Sequence, residues 1–195
     1  MGKIVCLMGK SSTGKDTIYK ELLREKEIPL KKVVPYTTRP IREGERDGVQ
    51  YFFTDEEGYQ RLVQEGKVIE AREYHTFHGT WRYFTVDDGQ IDLDDSDYIV
   101  IGTLEACRKL KDYFGEDKVL PIMIELDDGV RLQRALDRER KPENHRYEEM
   151  CRRFLADTVD FSPENMEKAG ITRTFYNGDL HTCLGEITEY LIEQL

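Results

Sequence analysis

An apolar run, Lys3-Ile-Val-Cys-Leu-Met8, leads directly into Gly9, Lys10, Ser11, Ser12, Thr13, Gly14, Lys15, Asp16 and Thr17. Glycines at both ends of so short a polar loop let successive backbone N–H groups aim at one anion, and a helix begun at the loop's end adds the positive pole of its dipole. The lysine at the head of that helix can then reach the outer phosphates of a nucleoside triphosphate as a point charge. The pattern ordinarily continues with a hydroxyl that ligates Mg²⁺, but here the residue is Asp16. A carboxylate beside a triphosphate is repulsive without a cation between them, so Asp16 is expected at a metal if nucleotide binds. The plainer alternative is that it only complements the helix N-terminus.

A second segment with chemistry in its spacing is Tyr36-Thr-Thr-Arg39-Pro-Ile-Arg42-Glu-Gly44-Glu-Arg-Asp-Gly48-Val-Gln-Tyr51-Phe-Phe53. Two guanidinium forks and a phenol can close on one phosphate monoester, each arginine binding it bidentately. Taken alone, two arginines in a polar loop are usually a solvated charged surface. The net charge of −10 argues against a general nucleic-acid binder, while the clusters Arg39/Arg42/Arg46 and Arg131/Arg134/Arg138/Arg140 point to a small anionic ligand.

These loops need a scaffold. With 195 residues, 38% of them apolar, the chain suits one domain. No apolar run reaches membrane-spanning length and no signal-peptide pattern stands at the start, so a cytoplasmic location without membrane contact is expected. Cys6, Cys107, Cys151 and Cys183 are widely spaced and expected to be free thiols. Periodicity predicts strand 3–8, helix 15–25, strand 32–37, strand 50–54, helix 55–65, and strands 67–74 and 81–86. A loop or short helix over 87–97 precedes strand 98–101 and helix 104–114. Strand 118–126, helices 128–140 and 147–157, strand 171–176 and helix 180–194 follow. The alternation predicts an α/β fold with a parallel sheet covered on both faces, and the strand-rich interval 37–86 reads as an insertion with its own small sheet.

The whole 36–53 string resembles the substrate loop of guanylate kinases, Ser-x-Thr-Thr-Arg-x-Pro-Arg-x-Gly-Glu-x-x-Gly-x-x-Tyr-x-Phe, and the resemblance can be followed from residue 3 to about 190. It implies a P-loop NTPase three-layer fold: core 1–36, 94–133 and 154–195, a mixed-sheet nucleoside-monophosphate-binding insert 37–93, and a helical lid 134–153. It implies MgATP as phosphoryl donor and GMP or dGMP as acceptor. Gly9 to Thr17 would hold ATP, with Asn177 of Tyr176-Asn177-Gly-Asp179 against its adenine. Arg39, Arg42 and Tyr51 would hold the acceptor phosphate. Glu70 would accept from the guanine N–H groups, with Thr80 beside the same base. Lys15, Arg134, Arg138 and Arg153 would stabilise the transferring group, since Arg134 and Arg138 lie four apart on one helical face. Arg131, Arg140 and Arg152 are read as surface ion pairs. His75 and His78 are read as exposed loop residues and Trp81 as packing.

The chain departs from the family pattern at several points. Pro35 replaces a serine, the lid tip Lys141-Pro-Glu-Asn-His-Arg146 differs, and Ile101 and Thr103 stand where the family carries Asp-x-Asp. A swap is expected in which Asp16 supplies the carboxylate and Thr103 the hydroxyl near Mg²⁺. Two other readings keep their place: a kinase for another nucleoside or deoxynucleoside monophosphate, and a non-catalytic module of the same fold that binds proteins. Either a monomer or a homodimer is compatible with the sequence.

Overall fold

Alternation along the first strand decides the layering. In β1 (Ile4–Gly9), Val5 and Leu7 point to one face of the sheet and Ile4, Cys6 and Met8 to the other, and all five are fully buried. A strand apolar on both sides belongs inside a sheet covered on both sides. The computed structural model, which describes residues 1–76, 79–141 and 145–195, shows that arrangement. β1 pairs in parallel with β7 (Asp97–Ile101) and β8 (Val119–Glu125). The edge strands β2 (Leu30–Lys32) and β9 (Thr174–Tyr176) complete a parallel sheet of order β2-β7-β1-β8-β9.

Helices α1 (Lys15–Leu22) and α7 (Leu180–Gln194) bury Ile18, Leu22, Ile187 and Leu191 against the Val5/Leu7 face. α3 (Leu104–Phe114) covers the other face through Leu104, Cys107 and Leu110. Phe161 and Ala169 join it there, from the ends of α5 (Tyr147–Asp160) and α6 (Pro163–Lys168). The expected three-layer α/β fold is therefore present, with α4 (Asp128–Glu139) and α5 as the helical pair beside the loop at the end of β1. Among the described residues no helix is long and apolar enough to cross a membrane.

The insertion builds a mixed sheet from β4 (Phe52–Phe53), β3 (Tyr36–Thr37), β6 (Gly79–Val86) and β5 (Val68–Thr76), in that spatial order. α2 (Glu56–Gln64), capped by Asp55 accepting from the Gly58 N–H at 2.7 Å, covers one face. There Tyr59 meets Phe84 at 4.9 Å between ring centroids, and Phe84 stacks on Tyr36 at 5.5 Å.

Several expected boundaries shift. The strand expected over 32–37 is broken: residues 30–32 pair with β7, and residues 36–37 pair with β4 and β6 in the second sheet. Pro35, between them, has no N–H to donate to a ladder, and its carbonyl instead accepts from Phe52 N at 2.9 Å. α1 stops at Leu22 rather than 25, α5 continues to Asp160 rather than 157, and the last strand keeps only 174–176. α6 was not expected, although its start signals, Ser162 as cap and Pro163 in the first turn, are both legible. The interval between β6 and β7 is turns without helix. His78 and lid-tip residues 142–144 lie outside the described residues, as does the His75 side chain.

Because Phe84 is fully buried between the sheet and α2, Phe84→Ala is expected to cost about 3–5 kcal/mol, read as a lowered urea midpoint.

Candidate active site

β1 has a parallel neighbour on each side, and the crevice where such a sheet changes direction lies at its carboxyl end. The glycine loop leaves β1 at that point. Gly9 has φ 156° and Gly14 φ 93°, and a Cβ would lie 2.7 Å from Ile124 O at the first and 2.4 Å from Asn177 Nδ2 at the second, so only glycine fits either. Ser12 takes a left-handed φ of 65° between them. Gly14 is also the N-cap of α1 and caps it with no side chain, which leaves the first-turn N–H groups available to an anion. Burial holds the Lys15 ammonium below the usual lysine range, and Arg131 and Arg138 push the same way against the opposing pull of Asp16 and Asp157. Asp16 and Thr17 are exposed on the first turn.

The loop is braced from beneath. Arg131 is fully buried, donates from Nε to Ser11 O at 2.9 Å and from Nη2 to Asp157 Oδ2 at 2.7 Å, and pairs with Asp128 through Nη1. The same Asp157 oxygen accepts from Ser11 N at 2.7 Å, and the guanidinium lies over the Phe154 ring at 4.9 Å. Arg131 is thus no surface ion pair, because the first turn of α4 packs directly under the loop. Arg140 and Arg152 do lie in exposed pairs, with Asp137 and Glu149. Asn177 is also buried under the loop, donating from Nδ2 to Thr13 O at 2.7 Å, while its Oδ1 has no hydrogen-bond partner.

Arg134 of α4 lies beside the loop: a Cβ built on Gly14 would be 3.6 Å from its Nη1. Arg138, one turn further along α4, is exposed and contributes to the field at Lys15. Arg153 is held on its own helix, where its Nε donates to Glu149 Oε1 at 2.8 Å. Arg152 and Arg153 together draw the Glu149 carboxyl down to about 2.

On the second sheet, Arg39 is buried and its guanidinium makes four hydrogen bonds: to both Glu45 oxygens at 2.9 Å, to Pro40 O at 2.8 Å and to the Tyr83 hydroxyl at 3.1 Å. Tyr51 lies beside it, its ring centroid 5.3 Å from the Arg39 Cζ. The Arg42 side chain is exposed, while its backbone N–H donates to Glu45 at 2.8 Å. Glu45 and Tyr83 were not singled out from sequence; Glu45 could have been found as the carboxylate three residues beyond Arg42, and Tyr83 had no local signal.

Strand register sorts the base-site candidates. Glu70 pairs with Thr85, Arg72 with Tyr83 and Tyr74 with Trp81, which puts all six on one face; Thr80 pairs with His75 and belongs to the opposite face. The expectation that Thr80 sits beside the same base as Glu70 is therefore corrected, because its register position puts it on the opposite face of the β5–β6 pair. Thr80 instead lines a hollow of about 750 Å³ with Arg39, Thr54 and Arg61. The hydroxyl beside Glu70 is that of Thr85, donating to Oε1 at 2.8 Å. Arg72 and Tyr74 line a cavity of about 710 Å³ whose other wall includes Thr103 and Leu104 of the α3 start, Phe161 and Lys168. Thr103 caps α3 and accepts from Ala106 N at 3.2 Å.

Residues 1–84 match the family model described as guanylate kinase. The chain is similar to the guanylate kinase of Caldanaerobacter subterraneus, 33% identical over 135 residues, which are 67% of this chain and 64% of that protein. It thus spans just under two thirds of that relative's length. It is also similar to the guanylate kinase of Mycoplasma mobile, 28% identical over 195 residues, covering 100% of this chain and 94% of the relative. Among solved structures, the guanylate kinase of Anaplasma phagocytophilum shares the fold with a TM-score of 0.70 at 21% identity, over 100% of this chain and 87% of the other. Each of these proteins is a guanylate kinase to which the chain is similar, and the solved structure shares its fold.

Proposed function

We propose that this chain transfers the γ-phosphoryl group of ATP to a guanine nucleotide monophosphate, GMP or dGMP, giving ADP and the diphosphate. The observation that carries the reading is a pair of anion-suited clusters, one on the core sheet and one on the inserted sheet. The glycine loop, Lys15, Arg134 and Arg138 gather at the carboxyl end of β1, and Arg39, Tyr51 and Tyr83 gather on the inserted sheet with buried Glu70 on the same face. A carboxylate accepting two N–H groups suits guanine and leaves adenine, which lacks that donor pair, poorly bound.

The chemistry asks little of the protein beyond placement and charge. The acceptor phosphate is itself the nucleophile and needs no side-chain base, and no covalent enzyme intermediate is required. Lys15 and the lid arginines would offset charge on the moving group, and closure of the lid 134–153 and insert 37–93 on the core would keep out water that competes as acceptor. Mg²⁺ would neutralise charge on the donor's outer phosphates. Asp16 fits such an ion, being an exposed carboxylate next to Lys15 in sequence. Thr103 offers only the oxygen capacity left after capping Ala106 N. Four unpaired thiols accord with a cytoplasmic site of action, and ATP and GMP are the partners the reading requires.

A coupled assay for ADP release with GMP, dGMP, AMP, UMP, CMP and dTMP tests the proposal: turnover confined to GMP and dGMP is expected, with Lys15→Ala slower by about 10²–10³-fold. Preferred turnover of another acceptor would move the base assignment, and silence across the panel would favour a protein-binding module. Asp16→Ala should raise the Mg²⁺ concentration needed for half-maximal rate; an unchanged Mg²⁺ dependence removes Asp16 from the metal site. Arg131→Met, which leaves Asp157 and Asp128 without their buried partner, should lose about 3–5 kcal/mol of stability and weaken ATP binding, read by urea denaturation and calorimetry.

A further inference from the structure

The face of β5 that carries Glu70 also carries a cation that the proposed function leaves unused. Arg72 lies two residues on, its side chain 19% exposed against 2% for Glu70, with Nε 3.3 Å from Glu70 Oε2. The charges are adjacent, yet both atoms are buried and neither has a hydrogen-bond partner. The one hydrogen bond between the side chains runs from Nη2 to Oε1 at 3.5 Å, the limit of such a contact, and Glu70 Oε1 already accepts from Thr85. Burying a carboxylate and a guanidinium is costly unless their lone pairs and protons are met, and leaving one of each open at the same place costs more than an apolar pair would. Such a pair is satisfied by a ligand edge that presents donors next to acceptors. Arg72 also lines the cavity of about 710 Å³ between β5 and the start of α3, so space for that edge lies beside it.

Guanine has this order along its rim: the N2 amine and N1–H donate, and the adjoining O6 and N7 accept. We propose that Arg72 is a specificity-determining residue that donates its fork to O6 and N7 of the acceptor base while Glu70 takes the N1–H and the amine. The inference rests on the guanine-nucleotide reading above and assigns the half of the base that Glu70 cannot read. An arginine fork on the O6/N7 edge is the arrangement that separates guanine from the other bases in nucleic-acid recognition, and adenine would present an amine where O6 should be. On the wall of that cavity facing Arg72, Thr103 is engaged as a helix cap. A cation from the sheet then does what no carboxylate from the core can do, because only a donor can meet O6 and N7.

The test compares dGMP with 7-deaza-dGMP, which lacks only the N7 acceptor, by calorimetric binding and by kcat/KM. The wild-type protein is expected to favour dGMP by about tenfold, the lower end of what a bidentate contact discriminates. Arg72→Met should treat the two alike. Glu70→Gln/Arg72→Met, which leaves no buried charge alone, should do the same and guards against misfolding of the single variant. Equal affinity of the wild type for both ligands overturns the proposal, as does discrimination that survives in either variant. If the wild type binds dGMP with the expected preference but turns over no acceptor, the kinase reading fails and the role of Arg72 stands. If it turns over dGMP and 7-deaza-dGMP equally, the reverse holds, and if it binds neither, both fall.

Discussion

Arg131 is a guanidinium taken wholly out of water, and a buried cation is tolerated only where its donors are met and its charge is opposed. Both conditions are supplied by groups from three parts of the chain: Ser11 in the glycine loop, Asp128 at the start of α4 and Asp157 near the end of α5. A glycine-framed loop has little side-chain packing of its own to hold it in shape. Here its conformation is held by this charged brace on one side and by Asn177 on the other. The brace also joins the loop to both α4 and α5, so Arg134 of α4 is delivered beside Gly14 by the same contacts that shape the loop.

The site's location follows from the sheet. Because β1 lies between β7 and β8, the connections at its carboxyl end diverge and leave a crevice, and the loop, Lys15 and the helix start occupy it. Lys15 is partly desolvated there with arginines as neighbours, an environment that disfavours its own charge. An anion would relieve both effects at once.

The inserted sheet works by division of its faces. One face packs Phe84, Tyr36 and Tyr59 under α2 and is stabilised by aromatic burial. The other carries Glu70, Arg72, Tyr83 and Thr85, a row of polar groups that a simple packing role does not require. Since side chains alternate along a strand, the pairing register of β5 with β6 decides which residues fall in that row, and it includes Trp81 but not Thr80.

The sequence by itself determined what depends on neighbours along the chain. The strand-loop-helix at residues 4–22, the need for glycine at 9 and 14, the alternation of strands and helices, and the arginine and tyrosine string of 36–53 are all set by dihedral limits and short-range periodicity. Even α6, passed over in the apolar pattern, had its cap signals in plain order. Tertiary structure alone decided the contacts that close over long separations. The Asp157 bond to Ser11 spans 146 residues and the Asn177 bond to Thr13 spans 164, and no local pattern records either. It alone put Arg131 inside rather than on the surface, divided 30–37 between two sheets, committed Arg39 to Glu45 and Thr103 to a helix cap, and turned Thr80 away from Glu70. The physical reason is common to all of them: a charged or hydroxyl side chain has the same local preferences wherever it falls, and its role is set by whichever distant group leaves a donor or acceptor to be met.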